Sequence, residues 1–295
     1  MLIVKYVMRN LIFILILVFI SCEKDINIKL DPSQSRLVVD ASIENNQPPF
    51  VFLSKSLDFF GKINPEVLSS SLVRNAKIKI SDGTSEVMLT EDSVVRGNTK
   101  VYFYTTSGTN RFFRGRVGAR YNLTIEALGE MYTSSTTIPE ITRRVDSMWW
   151  EKIPFAEDSN DVRVMLTGTD KPGLGDFIRY YTKRGQEPFL PGFNSVFDDQ
   201  IIDGTTYTVQ IDKGFDKNAE FSDSLSFFKK GDTVTLKLCN IDKVTYNFWR
   251  TYEFSFQSIG NPFSSPTRIL GNISNDALGY FGGYGAQYHT IIIPK

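Results

Sequence analysis

Two cysteines and one histidine are the side chains of this 295-residue chain best suited to nucleophilic or metal chemistry: Cys22, Cys239 and His289. A single histidine excludes every site that needs two of them. Serine or cysteine catalysis would require His289 as its base, and the G-x-S-x-G motif that places a serine on a sharp turn does not occur. The sequence therefore predicts a non-enzymatic protein, with a hydrolase as the less favoured alternative.

Adjacent carboxylates are the other residues that could do chemistry. Glu157-Asp158 and Asp198-Asp199 are two such pairs. Glycosidases hold their carboxylates across a cleft, which adjacent loop residues do not do by themselves. The stretch DDQIID, residues 198–203, offers the oxygen ligands that Ca²⁺ prefers, but its spacing matches no defined calcium loop. We expect no metal site and no cofactor.

Cys22 lies where an apolar segment gives way to charged residues. Lys5 and Arg9 precede ten consecutive apolar residues, 11–20, and Ser21 follows them. A membrane-spanning helix needs roughly 20 apolar residues. A basic start, a short apolar core and a small residue at the end are instead typical of a secretory signal peptide.

The residues Phe19 to Cys22 resemble the lipobox of bacterial lipoproteins, although the commonest pattern has leucine where Phe19 stands. The resemblance implies cleavage before Cys22, diacylglycerol on its sulfur and acyl chains such as palmitate. Each buried CH₂ of such chains contributes ~0.8 kcal/mol to anchoring. Residues 1–21 are then a signal peptide and 22–35 a polar tether. The alternative is an uncleaved anchor helix.

The location predicted from these residues is the outer membrane. The residues CEKD, from Cys22 to Asp25, resemble a tag that directs some lipoproteins of Bacteroidota to the cell exterior. Removal of residues 1–21 leaves 31 basic and 33 acidic residues, so the predicted mature chain has no basic field for nucleic acid. If Cys22 carries lipid, Cys239 has no disulfide partner, and we expect it to be a small buried hydrophobe.

Residues 36–140 are predicted to form a β-sandwich. AKIKISDG and YNLTIEAL alternate apolar and polar residues with the period of a half-buried strand. Asp82-Gly83 and Gly129-Glu130 are predicted hairpin turns. The segment 118–139 also resembles the last strands of immunoglobulin-like or carboxypeptidase-regulatory-like sandwiches.

Residues 141–295 are predicted to form a second β-rich domain with one amphipathic helix near 242–259. Asp242 is its expected N-cap, and Val244, Phe248, Tyr252 and Phe256 form an apolar stripe. Residues 185–204 are predicted to be a long loop, because they combine two prolines with scattered glycines and phenylalanines. The glycines of LGYFGGYGA, residues 278–286, are predicted to allow tight turns or close strand packing.

The opening LVVDASIENNQPPFVFLSKS, the hairpin GARYNLTIEALGEMYTSSTTIP and the tail motifs NPFSSP, GNI and LGYFGGY resemble the domain-of-unknown-function family 4249 of Bacteroidota. The resemblance implies a lipoprotein encoded beside TonB-dependent outer-membrane transporters. It carries no catalytic residue or ligand to this chain.

Together these features predict an accessory lipoprotein that binds a nutrient or partner for such a transporter. A structural or adhesive surface lipoprotein is the alternative. The candidate binding residues are aromatic: Phe189, Phe193, Phe197, Tyr280, Phe281, Tyr284 and Trp150.

Overall fold

The computed structural model describes residues 35–57, 64–96, 99–156, 158–216, 226–261, 263–265 and 267–295. The predicted signal peptide, Cys22, nearly all of the tether and Glu157 lie outside the described residues. Residues Ser35–Lys295 form one compact unit.

The described residues are mainly β-structure, as predicted. Two α-helices, α1 (Pro65–Ser71) and α2 (Lys243–Gln257), and a 3₁₀ turn at Gly108–Phe112 accompany the strands. The strands are β1 Leu37–Glu44, β2 Phe50–Lys55, β3 Lys77–Ser81, β4 Glu86–Met88, β5 Thr90–Arg96, β6 Thr99–Thr105, β7 Arg120–Ala127, β8 Glu130–Thr137, β9 Arg144–Lys152, β10 Asp161–Thr169, β11 Phe177–Arg184, β12 Leu190–Phe197, β13 Thr206–Ile211, β14 Phe228–Lys229, β15 Thr233–Ile241 and β16 Leu278–Ile292.

One eight-stranded sheet, the large sheet, runs through the whole unit in the order β12-β11-β15-β16-β1-β2-β6-β5. The last strand, β16, lies near its centre, antiparallel to β15 and parallel to β1. The large sheet therefore takes strands from both sides of the boundary predicted at residue 140.

The first small sheet, β4-β3-β7-β8, packs on one face of the large sheet. Alternate residues of β3 and β7 point into the shared core, where Ile78, Ile80, Leu123 and Ile125 are at most 1% exposed. Full burial of each such side chain contributes about 1.5–3 kcal/mol. The two facing sheets form a β-sandwich layer, but the large sheet includes β16, which lies outside the predicted range 36–140.

The second small sheet joins β9, β10, β13 and β14 and covers another part of the same face of the large sheet. Valines and a leucine of β10 pack there against Leu236 and Leu238 of β15. The connection from β8 to β9 lies directly against the backbone of β16. A Cβ added to Gly283 of β16 would lie 2.3 Å from the carbonyl oxygen of Thr137. This contact agrees with the predicted close strand packing, although the glycine-rich segment is strand rather than turns.

Helix α2 packs on the opposite face of the large sheet. Asp242 caps it as predicted, because its carboxylate accepts from the backbone N–H of Thr245 at 2.8 Å. The predicted stripe is partly wrong: Val244 is 43% exposed, and Glu253 is buried with Phe248. The helix is rotated so that Glu253 reaches polar partners on the sheet. Among the described residues, no helix is long and apolar enough to cross a membrane.

Two local predictions are corrected by the structure. Residues 185–204 contain the strand β12, which pairs with β11 at the edge of the large sheet. Proline is tolerated on an edge strand, so Pro191 misled the prediction of a loop. The β7–β8 turn consists of Leu128 and Gly129, not Gly129 and Glu130, because Ala127 pairs directly with Glu130.

Candidate functional site

The face of the large sheet that carries α2, here called the helix face, combines charged and aromatic side chains. It presents alternate residues of β11, β15 and β16, including Arg179, Cys239 and Tyr284. The helix covers only part of this face, so the face has a buried section under α2 and an open section beside it.

A buried ionic cluster attaches α2 to the sheet. The guanidinium carbon of Arg179 lies 3.3 Å from the Trp249 ring centroid, and its Nε donates to Ser195 Oγ at 3.2 Å. The hydroxyl and backbone N–H of Ser195 in turn donate to the carboxylate of Glu253. Buried charges need such partners, because an isolated one is strongly destabilising. The cluster therefore has a structural role in seating the helix.

Tyrosine hydroxyls extend this network along β16. Trp249 Nε1 donates to the Tyr284 hydroxyl at 2.9 Å, and that hydroxyl donates to Tyr280 at 3.1 Å. Burial raises the pKa of Tyr280, so it stays a neutral hydrogen-bonding group. Asp40 on β1 reaches solvent beside Tyr280. Although part of Asp40 is exposed, neighbouring atoms desolvate its carboxylate, and this raises its pKa. The hydrogen bond from Tyr280 and the positive charge of Arg179 both lower that pKa, by less than desolvation raises it.

The open section holds a second set of residues, here called the Tyr288 patch: Glu44, Lys183, Phe189, Lys237 and Tyr288. Lys237 forms an ion pair with Glu44, which also accepts from the Tyr288 hydroxyl. The Phe189 and Tyr288 rings lie 5.8 Å apart, and Lys183 Nζ lies 4.9 Å from the Phe189 centroid. Tyr288 is 48% exposed.

This geometry suits an organic ligand with both a flat apolar surface and polar groups. Aromatic rings accept sugar rings or apolar side chains, and flanking ammonium groups attract carboxylates or hydroxyls. All five residues of the Tyr288 patch lie on β1, β11, β15 and β16 or directly before β12, so a hydrogen-bonded sheet holds them in place.

Of the seven predicted aromatic residues, only Phe189 lies in the Tyr288 patch. Phe193 stacks on Phe215 at 5.7 Å, and Phe197 is 44% exposed and stacks on Tyr180. The structure buries Tyr280 and Tyr284 under α2. Phe281 is buried between the large sheet and the first small sheet, and much of Trp150 is buried between the large sheet and the second small sheet.

Four members of the Tyr288 patch were not predicted from the sequence: Glu44, Lys183, Lys237 and Tyr288. The alternation of TVTLKLCN predicts that Lys237 lies on the other face of its strand from the buried leucines. This was the one local signal for any of the four residues. Nothing local in the sequence places Lys237 beside Glu44 or Tyr288.

A cluster of carboxylates lies where the chain leaves β10, enters β11 and leaves β12. Oxygens of Asp170, Asp176 and Asp199 lie within 4.8 Å of one another, a spacing at which a hard cation could be bound. Arg143 forms a buried ion pair with Asp170 at 3.0 Å. Asp199 accepts from the backbone N–H groups of Gly175 and Asp176. The chain's own donors thus offset part of this negative charge.

The histidine and the adjacent aspartates considered for catalysis have structural partners. His289 shares a hydrogen bond with Gln287 at 3.1 Å, and burial lowers the pKa of its ring. Asp198 accepts from the Tyr246 hydroxyl, whereas Asp199 turns toward residues 175 and 176. Cys239 is buried as predicted, and burial raises its pKa to about 12.

One protein-family model matches the part of the chain that carries these features. The model described as Domain of unknown function (DUF4249) matches residues 23–289. The chain belongs to the DUF4249 family. The family match begins one residue after Cys22 and extends into β16, so the DUF4249 region includes both small sheets, α2 and the Tyr288 patch. No curated protein matches this DUF4249 chain.

Proposed function

We propose that the chain is an outer-membrane accessory lipoprotein of Bacteroidota, anchored through lipid on Cys22 and facing the cell exterior. It binds a nutrient or partner through the Tyr288 patch and serves a TonB-dependent transporter. The observation that carries the proposal is Cys22 itself, which follows a basic start, ten apolar residues and Ser21. The resemblance to the DUF4249 family implies the same location and the same transporter partner.

The Tyr288 patch supports a binding role rather than a purely structural one. An ion pair that is 18% and 13% exposed lies against an aromatic ring that remains half open. Burial of apolar surface stabilises the folded state, so an aromatic ring left half in water contributes less to stability than a buried one. The exposure of Tyr288 is therefore better explained by binding than by stability alone. A ligand that covers Tyr288 and Phe189 would gain that burial on binding.

Replacement of Cys22 by alanine tests the anchor. We expect Cys22→Ala to abolish metabolic labelling with palmitate and to move nearly all of the protein out of the membrane fraction of its own host. Cys239→Ala is the matched control, since that cysteine is buried, and it should keep both the label and the location. If Cys22→Ala stays in the membrane, residues 1–20 are an anchor helix and the lipoprotein proposal fails.

A further inference from the structure

We propose that the tip of the β7–β8 hairpin, Leu128 with Met131, inserts into the headgroup region of the membrane that carries the lipid anchor. This inference rests on the proposed function, because it uses the predicted lipid on Cys22. It adds a second contact, which fixes how the body stands on the bilayer.

The hairpin tip and the start of the folded unit lie at the same end of the molecule. Arg36 donates to the carbonyl of Asp276, and the neighbouring Asn275 donates to Glu130 at 3.3 Å. Lys55, which pairs with the first residue of β1, lines a cavity of about 700 Å³ together with Leu128 and Met131. The chain therefore enters the folded unit beside the hairpin tip.

The length of chain before that point keeps the tip close to a membrane. Residues 23–34 separate Cys22 from Ser35, and the thirteen residue-to-residue steps between the two span at most about 45 Å even when fully extended. A lipid on Cys22 therefore limits how far the end of the unit that bears Leu128 can lie from the bilayer surface.

The conformation of Leu128 is unexpected for a residue that serves only the fold. Its φ is 55° and that of Gly129 is 82°, a turn in which asparagine, aspartate or glycine is preferred. Leu128 is 48% exposed and Met131 57% exposed, so neither gains full burial within the chain. A strained, exposed apolar residue is a reason to look for function. A lipid interface supplies the apolar contact that the unit itself does not.

The charges around the tip favour an apolar contact over an electrostatic one. Lys77 pairs with Glu126, and Arg74 pairs with Glu91. Among the described residues, both signs of charge line the cavity, so they do not form a purely basic surface that would select anionic lipid. We expect the contact to depend on the leucine and methionine side chains and to be insensitive to salt.

A fluorescent label at the tip tests insertion in the lipidated full-length protein, reconstituted in phosphatidylethanolamine–phosphatidylglycerol vesicles. Met131→Cys offers one reactive thiol, since Cys22 carries lipid and Cys239 is buried. Thr84→Cys is the matched control, because Thr84 is exposed in the turn at the far end of β3. We expect an environment-sensitive dye at position 131 to shift to the blue and be quenched by lipid-borne quenchers. A dye at position 84 should keep the emission it shows in water and should not be quenched by the lipid-borne quenchers. Equal, water-like signals at both positions would overturn the proposal.

Leu128→Asn separates membrane contact from folding. Asparagine adopts the left-handed region more readily than leucine, so we expect an unchanged or higher melting temperature. The mature chain from residue 22 onward, made without lipid, should bind the same vesicles roughly tenfold more weakly with this substitution. Equal vesicle binding by both chains would overturn the insertion proposal. Because this assay uses no lipid on Cys22, its result is independent of the Cys22→Ala result.

Discussion

Replacement of Arg143 by alanine is expected to lower the free energy of unfolding by about 3–5 kcal/mol. The side chains of Arg143 and Asp170 are 1% and 0% exposed and their charged atoms lie 3.0 Å apart. Without the guanidinium, Asp170 would be a buried carboxylate beside Asp176 and Asp199. The loss should appear as a lower midpoint in urea, followed by tryptophan fluorescence.

Arg163→Ala is the control for this prediction. Arg163 also pairs with an acidic residue, Glu151 at 2.7 Å, but the two side chains are 38% and 37% exposed. Solvent screens such a pair, so we expect a loss of about 0–1 kcal/mol. If both arginine substitutions cost the same, burial of the Arg143 pair does not determine its contribution.

Gly283→Ala is expected to destabilise the protein by about 3 kcal/mol. The added Cβ would lie 2.3 Å from the carbonyl oxygen of Thr137 and 2.8 Å from the backbone nitrogen of Ile138. Both contacts are with backbone, which cannot rotate away as a side chain can. Either β16 or the connection between β8 and β9 would have to move, and β16 holds the large sheet together.

Gly83→Ala provides the comparison for the crowded glycine. Gly83 has a φ of 85°, but nothing lies within 4 Å of a Cβ built there. Gly83→Ala should lower the free energy of unfolding only because alanine is strained in the left-handed conformation, by about 1–2 kcal/mol. Thermal and urea unfolding of both variants measure the difference. A Gly283→Ala protein as stable as the wild type would contradict the close approach of the β8–β9 connection to β16.

The strands were predictable wherever a local pattern determines them. β3 and β7 alternate buried residues with more exposed ones, the first six residues of β15 alternate buried with half-buried ones, and the apolar–polar pattern of the sequence shows this directly. The position of β16 was not predictable, because its pairing with β1 joins residues more than two hundred positions apart. β12 was missed because Pro191 weakens a strand pattern except at a sheet edge, and edge position is a tertiary property.

The candidate site shows the same limit. Glu253 is charged and would be placed in solvent by composition alone, yet Ser195 and Arg179 make its burial tolerable. The Tyr288 patch draws its residues from four strands and from the position directly before a fifth. Only the order of strands in the large sheet brings Glu44 to Lys237 and Tyr288.

The most direct test of the binding role is photo-crosslinking in the native host. A photoreactive phenylalanine analogue would replace Tyr288, and a second protein would carry it at Gln210, which is exposed on the second small sheet, away from the helix face. We expect light to join position 288, but not 210, to an outer-membrane barrel of the TonB-dependent class, and Cys22→Ala to abolish the product. Absence of any barrel product from position 288, or equal products from both positions, would contradict a transporter accessory that binds through the Tyr288 patch.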